Sequence, residues 1–148
     1  MSAPDASPKM SFVSVTRFRL RSIRFAPFFL YHANRTIAQV RKTDGFMAGA
    51  VQRDADLAFW TLTLWRDARA MRAYGASGAH RTAMPHLAEW ADEASAAHWE
   101  QGGAALPTWP EAVRRLREAG RPVALRHAAP NHSGRAFAEP RMTGGMRL

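Results

Sequence analysis

The chain has 148 residues, 47 % of them hydrophobic and 22 % charged, with no cysteine and a formal net charge of +9. That describes one globular domain large enough to bury a core. It excludes disulfides, thiolate metal sites, iron–sulfur clusters and a cysteine nucleophile. No apolar run approaches the ~18 residues of a membrane span. The charge is mostly arginine and is spread along the chain. It suits anionic partners, nucleic acid included, but an Ala- and Arg-rich composition bias accounts for it as well.

Residues 1–10 are small, polar and proline-containing, and predict a disordered leader before a folded part over 11–128. Residues 11–21 alternate: Phe12, Ser14, Thr16, Phe18 and Leu20 share one face, Val13, Val15, Arg17, Arg19 and Arg21 the other, which predicts a strand. Arg17, Arg19, Arg21 and Arg24 followed by the apolar Phe25–Tyr31 superficially suggest a signal peptide. The segment is too deep in the chain and has no small-residue cleavage site after it, so the reading is of a cytoplasmic protein. Leu30, Ala33, Ile37 and Val40 recur at helical spacing, with Lys42 in the last turn and Gly45 as a stop. Residues 45–52 predict a weaker strand. Residues 57–65 (LAFWTLTLW) predict the strongest one, with Trp60 and Trp65 on opposite faces, both largely apolar.

Asp67 is placed to cap a helix that Gly75, Ser77 and Gly78 break. A second helix is expected from His80 or Pro85 to Ala97, and a short strand over 97–101. Thr108 and Glu111 form a capping box for a further helix, closed by Gly120 and Pro122, and Val123–Arg126 suits an edge strand. Residues 129–148 lack apolar periodicity and read as a flexible tail. The order β-α-β-β-α-β with C-terminal additions is the split βαβ of a ferredoxin-like α+β domain. Such a sheet leaves one face without helices. Burying an aromatic is worth roughly 1.5–3 kcal/mol, so a second copy, sheet to sheet, is expected to shield it as a homodimer around a cavity.

Three groups of side chains could carry chemistry. His80 follows a glycine-broken helix and suits a ligand, a proton shuttle or a substrate contact; capping a helix or packing on Met84 is the plainer role. Trp60, Trp65, Tyr74, Met84 and Trp90 suit the walls of an apolar pocket, or a core. Arg17 and Arg19 suit an anion anchor, or a solvated face. The six histidines match no metal pattern, and no nucleotide-binding or hydrolase signature occurs. RNA-recognition modules share this fold, but LAFWTLTLW lacks their basic-glycine-aromatic motif.

Residues 59–101 hold Thr61 or Thr63, Trp65, Tyr74, then Gly78-x-His80-x-x-Ala83, then Trp90 and Glu93. This ordered pattern resembles the spheroidene monooxygenase family, which sits with the antibiotic-biosynthesis-type monooxygenases among the dimeric α/β barrels. The resemblance implies a cavity between sheet and helices for an apolar organic molecule, and oxygen chemistry on it. A haem version would make His80 the axial ligand and an arginine of the first strand a propionate anchor; cofactor-free members of the wider superfamily need only an apolar pocket with a few polar groups. Two further readings are a small-molecule-binding barrel without turnover and a nucleic-acid-binding module.

Overall fold

The structure, a computed structural model, describes residues 9–130, 132 and 135–148. The expected leader lies outside the described residues up to position 8; Met10 already begins the first strand. Strand β1 (Met10–Leu20) is central. It pairs antiparallel with β3 (Ala58–Trp65) and with β4 (Ala91–Gly102), and β2 (Phe46–Arg53) pairs with β3. The short β5 (Arg121–Pro122) and β6 (Gly145–Arg147) extend the two edges, giving the order β5-β4-β1-β3-β2-β6. Helix α1 (Ala26–Arg41) links β1 to β2, α2 (Ala68–Gly75) and α3 (Gly78–Trp90) link β3 to β4, and α4 (Trp109–Ala119) follows β4. The ferredoxin-like α+β order read from the sequence is the one observed.

Local chemistry sets several boundaries. Asp67 accepts a hydrogen bond from the Ala70 amide at 2.8 Å, and Thr108 from the Glu111 amide at 3.3 Å. The helix expected to reach Ala97 stops at Trp90, and residues 91–102 are strand. Alanine favours helix by itself, but here the β1 backbone offers a ladder running from Met10↔Gly102 to Leu20↔Ala91. Tertiary pairing overrides the local propensity. The last edge strand is Arg121–Pro122 rather than Val123–Arg126, although the Val123 amide still donates to the Ala94 carbonyl at 2.8 Å.

The register sorts the side chains into two faces. Val13, Val15, Trp60, Leu62 and Leu64 are all 0 % exposed, packed with Ala112 and Leu116 of α4. Trp60 lies edge-on to Trp109 and Phe137, with ring centroids 6.5 and 5.4 Å away. The face expected to need a twin subunit is therefore covered by α4 and by the C-terminal segment of the same chain. That segment is no loose tail. Phe137 and Met142 pack on the core, β6 pairs with β2, and the Arg141 amide donates to Asp54 at 2.7 Å. Asp54 is buried and its other oxygen accepts from the Trp60 indole at 3.0 Å, so one carboxylate ties the core tryptophan to the chain end. Among the described residues no helix is long and apolar enough to cross a membrane.

Candidate functional site

The opposite face of the sheet lies under α1, α2 and α3. Cross-strand pairing puts Ser14 with Thr63, Thr16 with Thr61, and Phe18 with Phe59 on it. Helix α1 is anchored at both ends. Phe29 meets Phe18 and Phe59, with centroids 4.9 and 4.5 Å away, and Val40 is buried against Trp65 and Ala70. Helical geometry places Ala33 and Thr36 on the same stripe between those anchors. Small side chains on the helix thus stand over small hydroxyl side chains on the sheet.

Packing differs sharply between the two faces. On the α4 face the central side chains are sealed. On the α1 face Thr16, Phe18, Phe59 and Thr61 of the two central strands stay half-buried, although helices lie above them. Helix α3 contributes no buried residue and α1 contributes only Val40, whereas the shorter α4 contributes Ala112 and Leu116. The α1 face carries the hydroxyl side chains of Ser14, Thr16, Thr61 and Thr63 in its middle, Ser14 and Thr63 buried, with Phe18 and Phe59 at one end.

At the other end stand three of the predicted residues. Trp65 is fully buried and its indole donates to Thr63 Oγ1 at 2.9 Å. Tyr74 packs on Trp65 with centroids 5.3 Å apart, and His80 packs on Tyr74 at 4.9 Å. The His80 ring sits 3.1 Å from the Gly75 carbonyl through Nδ1, which makes Nδ1 the protonated nitrogen and leaves the Nε2 lone pair available. Burial holds its pKa below the ordinary 6.5, so the ring is neutral at pH 7. Burial pushes the Tyr74 phenol up to about 12, which keeps it protonated as it donates to the Thr36 carbonyl at 3.4 Å.

Sequence reading missed the residue that holds this corner. Gln39 of α1 donates to the Ser77 and Tyr74 carbonyls at 2.9 and 3.3 Å and accepts from the His80 amide at 2.8 Å. One amide side chain thereby clamps the α2–α3 turn. Gly78 in that turn has φ +58°, and a Cβ there would stand 3.0 Å from the Gln39 side chain, so glycine fits for two reasons. A lone glutamine in a helix carries no sequence signal of such a role.

Other predicted residues fall elsewhere. Trp60 belongs to the sealed α4 face and is fully buried. Met84 is half-buried on α3. Trp90 ends α3 in an outer aromatic group, stacked on His86 at 5.2 Å and near Phe25, Phe28 and His32. Arg17 and Arg19 already have anions within the chain. Arg17 binds Glu93 at 2.8 Å, and Arg19 grips Asp92 through two bonds of 2.9 and 3.0 Å. They lie on the α4 side of the sheet and His80 on the other, so one haem could not use both. The His80 ring packs on Tyr74 and is held by the Gly75 carbonyl. The residues present do not fit that cofactor. A hollow of about 440 Å³ flanks α2 but is lined by Asp44, Arg66, Asp67, Arg69 and Tyr74, not by His80. The helix-free face that RNA-recognition modules use for stacking is occupied here by α4.

A family model described as Domain of unknown function (DUF3291) matches residues 31–130. The chain belongs to that family. No curated protein matches it. Among solved structures, a single-residue variant of SnoaB, a cofactor-independent oxygenase from Streptomyces nogalater, superposes with a TM-score of 0.51 at 20 % identity, over 68 % of this chain and 97 % of that one. A Nitrosomonas europaea protein provisionally called an antibiotic biosynthesis monooxygenase gives 0.54 at 15 %, over 65 % and 91 %. NE2512, a protein of unknown function from the same organism, gives 0.56 at 14 %, over 68 % and 97 %. At these identities the likeness shows the fold. The match is to DUF3291 rather than to the spheroidene monooxygenase family, whose pattern over residues 61–93 stays a resemblance.

Proposed function

We propose that this DUF3291 protein is a monooxygenase-like enzyme that takes an apolar small molecule into the layer between the sheet and α1, without haem. The observation that carries the reading is the contrast in burial between the two sheet faces, with Trp60 and Leu62 fully buried on one and Thr16 and Thr61 only half-buried on the other. The hydroxyls there would orient a polar substituent of an otherwise apolar guest. His80, neutral and with Nε2 free, would remove a proton from the part of the guest that reaches past Trp65 and Tyr74, which wall that end. The resemblance of residues 61–93 to the spheroidene monooxygenases, and the fold shared with a cofactor-independent oxygenase, both favour oxygenation as the reaction class.

The test is oxygen uptake with a panel of largely apolar aromatic compounds that carry a phenol or enol, with mass spectrometry for a product that has gained one oxygen and lost two hydrogens, the second oxygen atom leaving as water. His80→Gln should lower turnover on the order of 10²-fold, the usual worth of a positioned general base. Wild-type turnover should be flat near neutral pH and fall only in more acidic solution than an ordinary histidine would require, because burial lowers the pKa at which protonation removes the base. Saturable binding with no oxygen uptake would instead mean a barrel that binds without turnover. No binding at all would end the proposal.

A further inference from the structure

The outer face of α1 carries large side chains where a solvent-facing helix normally carries small or charged ones. Phe28, Tyr31 and Arg35 follow one another at spacings of three and four and so form a single stripe on α1, and Arg24 stands in the turn just before the helix. All four are exposed, Phe28 at 60 % and Tyr31 at 58 %, with Ile23 beside them at 66 %. Arg35 lies over the Tyr31 ring and donates to its hydroxyl at 2.9 Å, while Arg24 lies over Phe25. Cations therefore frame a projecting aromatic centre.

Among the described residues no carboxylate offsets them. Residues 6–43 contain no Asp or Glu. The one carboxylate of the neighbouring α3, Glu89, is taken by Arg21 at 3.2 Å and His127 at 3.1 Å. Among the described residues neither Arg24 nor Arg35 has an ion pair. We infer that this stripe docks the protein on an anionic membrane surface, with Ile23, Phe28 and Tyr31 entering the headgroup–acyl boundary and Arg24 and Arg35 meeting lipid phosphates. Charge complementarity selects that occupant. A second copy related by a two-fold axis would set these arginines against each other with no carboxylate to receive them. A nucleic acid would supply phosphates, but Ile23 has no ring to stack and Phe28 already leans on Trp90 with centroids 6.2 Å apart. The inference stands independently of the reaction proposed above.

The experiment is co-sedimentation of the full chain with vesicles of phosphatidylcholine and phosphatidylglycerol, and with phosphatidylcholine alone. Wild type should partition into the anionic vesicles and be released by salt. Arg24→Gln with Arg35→Gln should weaken partition roughly thirtyfold, about fivefold for each cation near the surface. Tyr31→Ser should weaken it roughly tenfold while leaving the melting temperature unchanged, which guards against misfolding. Equal partition into both lipids, no partition, or partition untouched by either variant would overturn the inference. So would a dimer that Tyr31→Ser dissolves, or salt-sensitive nucleic-acid binding lost in the same variants.

Discussion

Trp60→Ala is expected to lower the unfolding free energy by about 3–5 kcal/mol, a large part of the stability of a domain this size. Three terms act together. A fully buried indole is lost, Trp109 and Phe137 lose the ring they pack on, and Asp54 loses a donor in a buried position. Asp54→Ala removes the carboxylate and leaves the Trp60 indole and the Arg141 amide unpaired, and should cost about 1–3 kcal/mol. Urea denaturation measures both. The two changes should not add, because they share one hydrogen bond. Were Trp60 a pocket wall instead, its removal would cost under about 1 kcal/mol and alter ligand binding, and the assignment of this face to pure core would be wrong.

The second large effect concerns Arg17 and Glu93. Their side chains are 6 % and 18 % exposed and joined at 2.8 Å. Glu93→Ala strands the Arg17 charge next to Phe137 with its Nε already unpartnered, and should destabilise by about 3–5 kcal/mol. Replacing both, as Arg17→Met with Glu93→Leu, should recover most of that loss, because a packed apolar pair avoids desolvating two ions. A double-mutant cycle by urea denaturation separates the two outcomes. If Glu93→Ala changed stability by less than about 0.5 kcal/mol, Arg17 would be free to hold an external anion, as its place in the first strand suggested.

These two cases show where the sequence stops being legible. Strand and helix periods, the Asp67 and Thr108 caps and the opposite facing of Trp60 and Trp65 are local, and each was readable. The βαββαβ order followed from them. The cover of the Trp60 face was not readable, because Phe137 and Met142 sit in a segment without periodicity and gain meaning only once Asp54 pins Arg141. Glu93 and Asp92 looked like polar positions of a helix, since an alanine-rich run carries the same apolar signal at either period. Only the pairing of β4 with β1 turns them toward Arg17 and Arg19. The demand that both sheet faces be covered was sound physics. The face expected to call for a second subunit is covered by one short amphipathic helix and the C-terminal segment of the same chain, which removes that reason for pairing.

The candidate site was legible in part. Trp65, Tyr74 and His80 do come together, as the pattern of residues 61–93 implied. The half-burial of Thr16 and Thr61 on the α1 face was not visible, because it depends on the register of three elements at once.

The most direct measurement is therefore the stability of Thr61→Phe together with its uptake of an apolar fluorescent probe such as 1-aminoanthracene. If the layer above Thr61 is open, the phenylalanine fills it, stability holds or rises, and probe binding is lost. If that layer is close-packed, the extra ring should destabilise the fold by about 1–3 kcal/mol, and any probe binding would persist elsewhere.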